Sequence, residues 1–204
     1  MTQVLDALTG SVTANGNVGV IERARASRTM YDVLTKALGT LGFSAVWGLA
    51  AGSAAPQLAL ANVYKVPMVI ALSLLVSLPA VLVTRLLLRM QLPPQAIVSS
   101  LIVSLFRASL VLLGVAPLLG VYAYTSQWVA PVLAQGSALL ALGVGGVALQ
   151  SELRRLEAPT AQLFALGLVS VVTMALALLQ LITLATPVLT LPTVFGSGID
   201  GVLR

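Results

Sequence analysis

The chain has 204 residues, of which 58% are hydrophobic and only 8% are charged, whereas soluble domains carry roughly 25% charged residues. This composition excludes an ordinary soluble domain and suits several bilayer crossings of about 20 residues each. The net charge is +5, and the chain has no cysteine and no histidine. Their absence excludes disulfides and imidazole catalysis, and it leaves few ligands for zinc or haem iron.

The first 36 residues are more polar than the rest and are predicted to lie at the cytoplasmic membrane surface. A turn at Asn15-Gly16 separates a short apolar helix from a charged helical segment over residues 21–36. We interpret residues 1–36 as an amphipathic segment at headgroup level, with a docking surface for a partner as the alternative.

Five apolar segments follow and predict an all-α, polytopic helical membrane bundle over residues 37–186. Pro79 is expected to kink the second span, and Pro117 to kink or end the third. Residues 55–64 are predicted to form an uncharged loop, and residues 187–204 a tail outside the cytoplasm. The predicted spans cover residues 37–54, 66–88, 95–119, 132–149 and 160–186.

The distribution of cations predicts an N-inside, C-outside topology, because loops on the cytoplasmic side of a membrane are enriched in lysine and arginine. With five spans, only Lys65 and Arg204 fall on the outer side. We expect an integral protein of a bacterial cytoplasmic (inner) membrane. The N-terminal basic run lacks interleaved aromatic residues, which disfavours nucleic acid as a partner. The arginines expected to contact anionic lipid headgroups are Arg23, Arg25, Arg28, Arg85, Arg89, Arg154 and Arg155.

Arg107 is the only charged residue in a long apolar run from Ala96 to Val121. A charged side chain at the bilayer centre costs ~2.5–3.5 kcal/mol on insertion scales, so Arg107 needs a partner or a wet cavity. Three roles remain open. Arg107 can be structural, donating to freed carbonyls or pairing with an acid or a lipid phosphate; it can bind a substrate or ion; or it can pair with another subunit. No acidic residue is expected inside a span, so an in-chain pair would require Glu152 or Glu157 at the inner surface.

Small and hydroxyl residues recur at helical spacing on several predicted spans, and on the fourth span Gly136, Gly143, Gly146 and Gln150 lie on one side. Such faces let membrane helices approach closely and hydrogen-bond. Close packing is the main interpretation, and a polar permeation path along the same faces is the alternative. The positions predicted to make intramembrane polar, packing or partner contacts are Arg107, Ser100, Ser104, Ser73, Ser77 and Gln180.

Residues able to carry catalysis are scarce. Glu152 and Glu157 lie close together, but beside two arginines, where charge pairing explains them better than acid–base chemistry. No histidine can activate the serines, a serine–lysine pair with Lys36 or Lys65 lacks a nucleophile elbow, and no phosphate-binding loop is present. We therefore predict no catalytic, metal-binding or cofactor-binding residues and no enzymatic activity. Carotenoid or quinone binding, which needs no such ligands, stays open.

The sequence Tyr64-Lys65-Val66-Pro67, followed by Leu78-Pro79, resembles the second-span pattern of bacterial multi-pass proteins of the Yip1-like kind. The five-span, N-inside plan with a charged cytosolic lead-in is similar to that of the Yip1-like membrane proteins. The resemblance implies a five-helix membrane fold and, from the eukaryotic members, a role in membrane shaping and trafficking. It implies no catalytic residues.

The sequence supports two main functional hypotheses. The first is a non-enzymatic structural or accessory subunit of a larger membrane assembly, in contact with anionic lipids and with other membrane subunits or further copies of itself. The alternative is a transporter or channel subunit with an anion path near Arg107. The lack of aspartate, glutamate and histidine in the predicted spans disfavours proton coupling.

Overall fold

The structure, a computed structural model, describes residues 30–126, 128–156 and 159–185. These residues are helical apart from short turns and include no strand, and five of the helices are long and apolar enough to cross a membrane. The predicted all-α membrane bundle is therefore confirmed, whereas its orientation stays a prediction. The helices are α1 (Met30–Ala51), α2 (Pro56–Leu87), α3 (Pro94–Thr125), α4 (Val129–Leu153) and α5 (Thr160–Ala185).

The chain divides into two compact units, Met1–Thr35 and Lys36–Arg204. The described residues of the first unit are helical, and there the Thr35 hydroxyl donates a hydrogen bond to the Tyr31 carbonyl. All contacts discussed below belong to the second unit. Several predictions lie outside the described residues: the amphipathic segment up to residue 29 with its turn at 15–16, the tail at 187–204, and the headgroup contacts of Arg23, Arg25 and Arg28.

α2 begins well before its predicted start, so the loop expected at residues 55–64 is wrong. Pro56 occupies the first turn of the helix, where its missing N–H has no intrahelical partner to lose, and helix-forming leucine and alanine residues follow it. The helix also continues through Pro67 and Pro79. Lys65 consequently lies ~14 Å inside α2, at 1.5 Å per residue, rather than in an outer loop.

α3 and α4 are also longer than predicted. Pro117 does not end α3, which continues to Thr125 and so includes Tyr124, of the type enriched at the membrane interface. α4 extends through Glu152 to Leu153. The expectation that no acidic side chain lies within a span is therefore wrong. The end of the fourth span was predicted too early because the average hydropathy falls before the last helical turn ends.

Among α2 to α5, two helix pairs dominate the packing: α3 lies along α4, α2 lies along α5, and α4 also contacts α5. α1 approaches α2 at Gly48, where an added Cβ would lie 2.5 Å from the Asn62 carbonyl oxygen. α1 also reaches α4, since Trp47 Nε1 donates to Ser137 Oγ at 3.0 Å. A close approach at a glycine and one buried hydrogen bond are thus two of the contacts that hold α1 against its neighbours.

One apolar cluster gathers the α2–α3 turn and the α4–α5 turn at the same end of the bundle. Arg85 Nε donates to the Leu92 carbonyl at 2.5 Å, and Arg89, in the turn just after α2, has a positive φ of 51°. Because the two turns share this cluster, Arg89, Arg154 and Arg155 lie at one end of the bundle, as the topology prediction requires. The buried members of the cluster are Val81, Met90, Leu92, Ile97, Leu101, Leu149, Leu153, Leu163 and Leu166.

A second cluster, rich in alanine, joins α1, α3 and α4 away from these turns. Its small side chains let the helices approach closely. The outside of the bundle carries large exposed apolar side chains, for example Leu87 and Val147, as expected for a surface that faces lipid. The buried members of the second cluster are Trp47, Ala51, Leu112, Ala116, Leu119, Ala134 and Ala141.

Candidate functional site

An ion pair joins the middle of α3 to the last turn of α4. Arg107 Nη2 lies 2.6 Å from Glu152 Oε1, and Arg107 Nη1 donates to Ser151 Oγ at 3.3 Å. The second carboxylate oxygen, Oε2, accepts from Arg155 Nη1 at 3.4 Å. The Glu152 side chain is only 13% exposed, whereas that of Arg107 is 40% exposed. One shielded carboxylate therefore serves two guanidinium groups.

The position of Glu152 explains why two cations converge on it. The C-terminal end of a helix carries a partial negative charge, so an acidic side chain there is unfavourable without compensation. Glu152 lies in the last turn of α4, and the positive charges of Arg107 and Arg155 offset both the carboxylate and the helix end. Arg107 lies ~20 Å along α3 from Pro94. The next residue, Ala108, packs against Gly145 of α4, so the long Arg107 side chain extends from that level toward the end of α4 to reach Glu152.

Arg107 therefore has an acidic partner in its own chain. Glu152 was one of two such partners that the sequence suggested, and it can reach Arg107 because α4 carries it alongside α3. The argument that the counter-ion of Arg107 belongs to another subunit no longer holds. Of the three roles considered for Arg107, the structural one has a contact that supports it.

The predicted serine positions are buried, and each hydroxyl donates to a carbonyl of its own helix. Ser73 bonds to the Val69 carbonyl and Ser77 to that of Leu74. In the same way, Ser100 and Ser104 donate to the preceding turn of α3. Gln180, in contrast, is exposed on α5. The serines thus have their hydrogen bonds satisfied locally, which suits close helix packing.

A cavity of about 160 Å³ lies between the five helices. Most of its wall is apolar, and among the predicted polar positions only Ser104 contributes to it. Arg107 is not one of the lining residues, so none of the described contacts favours an anion path past its guanidinium. The polar lining residues are Thr40, Lys65, Ser104, Ser109, Gln135 and Ser170.

The arginines predicted to contact lipid headgroups differ in their surroundings. Arg85 is partly buried and bonds to the α2–α3 turn, so part of its role is to hold that turn. Arg89, Arg154 and Arg155 are exposed at the same end of the bundle. Exposed guanidinium groups suit contact with lipid phosphates, and this contact stays a prediction.

Sequence reasoning missed two features of the bundle interior. The hydrogen bond from Trp47 to Ser137 joins residues 90 positions apart, and no local sequence pattern predicts it. Lys65 lines the central cavity because α2 begins at Pro56. That early start could have been found from the sequence, since a proline followed by leucine and alanine is typical of a helix N-terminus.

No protein-family model, curated protein or solved structure matches this chain. The Yip1-like resemblance therefore stays a prediction, and the functional argument depends on the geometry of the bundle itself.

Proposed function

We propose that this protein is a non-enzymatic integral membrane protein that serves as a structural or accessory subunit of a larger membrane assembly. The observation that carries the proposal is the outer surface of α4. There, two glycines leave space on a surface that no helix of the described bundle covers.

The glycines of α4 fall into two groups. An added Cβ at Gly145 would lie 3.2 Å from the Ala108 side chain on α3, and one at Gly146 would lie 3.3 Å from Val171 on α5. These two glycines serve packing inside the bundle. Gly136 and Gly143 are exposed, with no heavy atom within 4 Å of an added Cβ, so the close packing that they allow is unused within this part of the chain.

A groove between α3 and α4 lies beside Gly136. Its volume is about 270 Å³, and its walls are apolar, so a partner helix can seat side chains in it. In a membrane, helices associate through such shape complementarity, because lipid already satisfies their apolar surfaces. The groove is lined by Val115, Val129, Val132, Leu133, Gly136, Ser137 and Leu140.

The ion pair links the same two helices farther along α4, where Glu152 lies ~18 Å beyond Leu140, a lining residue of the groove. Arg107 and Glu152 join α3 to α4, the two helices whose outer faces form the groove. A rigid groove binds a partner with less loss of conformational freedom than a mobile one. We therefore assign Arg107 a structural role in the proposed assembly, rather than substrate binding.

The proposal also specifies which membrane contains the protein and how the protein is oriented in it. The N-inside, C-outside arrangement in a bacterial cytoplasmic membrane is supported by the arginines that share one end of the bundle, Arg89, Arg154 and Arg155. Anionic lipid headgroups on that side would hold them. The absence of an enzymatic activity is supported by the residue types available, since the chain contains no histidine and no cysteine.

The test is the size of the complex that the protein forms after gentle solubilisation. We expect the wild-type chain to run as a large complex, and we expect Gly136→Leu combined with Gly143→Leu to release it. The matched control is Gly42→Leu, since Gly42 is an exposed glycine of α1 that also has open space around it. Leucine favours a helix over glycine by about 0.8–1 kcal/mol, so these changes should not impair folding.

Three results would bear on the proposal directly. A wild-type protein that runs as a single 21.0 kDa chain in every mild detergent would contradict it. A complex that survives the double substitution, or that is lost equally in the Gly42→Leu control, would remove the α4 surface from the argument. Mass spectrometry of the intact complex then distinguishes other subunits from further copies of this chain.

A further inference from the structure

The central cavity is long and follows the helix axes. Its wall runs along α4 from Ala134 to Leu149, a length of ~22 Å at 1.5 Å per residue. The α5 wall, from Ser170 to Ala185, is similarly long. A volume of about 160 Å³ spread over this length is slender, which fits a chain rather than a compact ring system.

Small residues create this space. Ala108 lies on the α3 wall, whereas Ala138 and Ala141 lie on the α4 wall. Larger apolar side chains at these positions would fill the gap between the pair α3–α4 and the pair α2–α5. The cavity therefore follows from the residue choice along two helices and not from a single missing side chain.

Most of the wall is apolar, although Lys65 and Gln135 also line it. Among its hydroxyl groups, that of Thr40 donates to the Lys36 carbonyl of its own helix. Ser104 and Ser170 line the cavity, yet each donates its hydroxyl proton to a carbonyl of its own helix at 2.7 Å. Ser109 does the same with the Phe106 carbonyl. A water molecule needs two to four polar partners, and an apolar cavity of roughly 150 Å³ in an engineered protein stays empty of water and binds benzene. The occupant of the present cavity is therefore expected to be apolar.

We infer that the cavity holds one acyl chain of a bilayer phospholipid. Acyl chains are the medium around the helices, and one leaflet of the hydrocarbon core is ~15 Å thick. The volume of about 160 Å³ is close to that of the cavity that holds the six carbons of benzene, so the cavity can accept a segment of one chain. Part of the wall is open, which gives the chain a way in. This inference is independent of the proposed assembly, because the cavity is lined from inside the bundle while the groove beside Gly136 lies outside.

The fluorescence of Trp47 can report whether an acyl chain occupies the cavity. Trp47 lines the cavity, is 8% exposed and is held by its bond to Ser137. The only other tryptophan is Trp128, which is 85% exposed at the α3–α4 turn. The substitution Trp128→Phe leaves Trp47 as the single indole, and bromine atoms on an acyl chain quench indole fluorescence only at contact distance.

The experiment compares the Trp128→Phe protein in vesicles of phosphatidylcholine and in vesicles of the same lipid with acyl chains dibrominated at mid-chain. We expect loss of most of the Trp47 fluorescence in the brominated vesicles. Full fluorescence there would overturn the inference, because a chain in the cavity brings bromine against the indole.

A substitution pair separates quenching from inside and from outside the bundle. Ala138→Leu fills the cavity and should restore Trp47 fluorescence in brominated vesicles. Leu139→Phe adds bulk at the next residue, which is 70% exposed to the surroundings, and should leave the quenching unchanged. If Ala138→Leu does not fold, Ala138→Val replaces it. Equal quenching in the filled variant and in the control would mean that bromine reaches Trp47 from the bulk bilayer, and the inference would be wrong.

Discussion

Replacing Glu152 by glutamine removes the carboxylate that pairs with Arg107 and keeps the size of the side chain. The pair is short, at 2.6 Å, and its carboxylate is 13% exposed while its guanidinium is 40% exposed. Exposed ion pairs contribute about 0–1 kcal/mol, whereas removing one partner of a buried pair costs about 3–5 kcal/mol. The present pair lies between these limits, so we expect Glu152→Gln to lower the free energy of unfolding by about 2 kcal/mol.

Removing the other partner of the pair, Arg107, should lower the free energy of unfolding by less. Arg107→Gln leaves Glu152 with its second partner, Arg155, at 3.4 Å, so the remaining charge is not isolated. We expect a loss of about 1 kcal/mol. If the two side chains act as a pair, the double variant loses less than the sum of the two single losses, with a coupling energy of about 1–2 kcal/mol.

The assay is equilibrium unfolding in mixed micelles with increasing dodecyl sulfate, followed by tryptophan fluorescence, on the wild type, the two single variants and the double variant. Arg155→Gln is the control, because that side chain is 71% exposed and its removal should cost less than about 0.5 kcal/mol. Losses that add to within about 0.5 kcal/mol in the double variant would refute the coupling between Arg107 and Glu152.

Two further outcomes can be checked on the same protein. Gly48→Ala should lower the unfolding temperature, by the equivalent of about 1–3 kcal/mol, because the Cβ of the new alanine would lie 2.5 Å from the Asn62 backbone oxygen. The control, Gly42→Ala, places its Cβ in open space and should raise the stability slightly. An equal effect of both changes would contradict the close approach of α1 and α2. The chain lacks cysteine, so the variants Arg154→Cys and Trp128→Cys each carry a single thiol. A membrane-impermeant maleimide added to intact cells should label only the Trp128→Cys variant. Labelling of only the Arg154→Cys variant would reverse the proposed orientation.

Much of the fold can be read from the sequence because crossing a bilayer is a local requirement. Each span needs about 20 apolar residues in a row, and its backbone must satisfy its hydrogen bonds within the helix. The fifth span, predicted at 160–186, agrees with α5, Thr160–Ala185. The ends of α2 and α4 were placed less well, since Pro56 and Glu152 belong to terminal turns where average hydropathy is low.

The candidate site could be predicted only in part. The sequence alone determined that Arg107 needs a partner within an apolar span, and it named Glu152 as one possibility. Which residue pairs with Arg107, and whether Gly136 faces a neighbour or lipid, depend on the rotation and register of α4 against α3. Those are set by long-range packing, as in the contact between Gly145 and Ala108.

The number and type of the spans were thus determined by the sequence by itself, because an unbroken apolar run must become a helix to satisfy its backbone in lipid. Only the tertiary structure decided which faces of those helices turn inward. Apolar side chains are about equally stable against lipid and against one another, so hydropathy cannot distinguish a lipid-facing helix face from a buried one. That choice places the Arg107 charge beside Glu152 and leaves the slender cavity between the helix pairs.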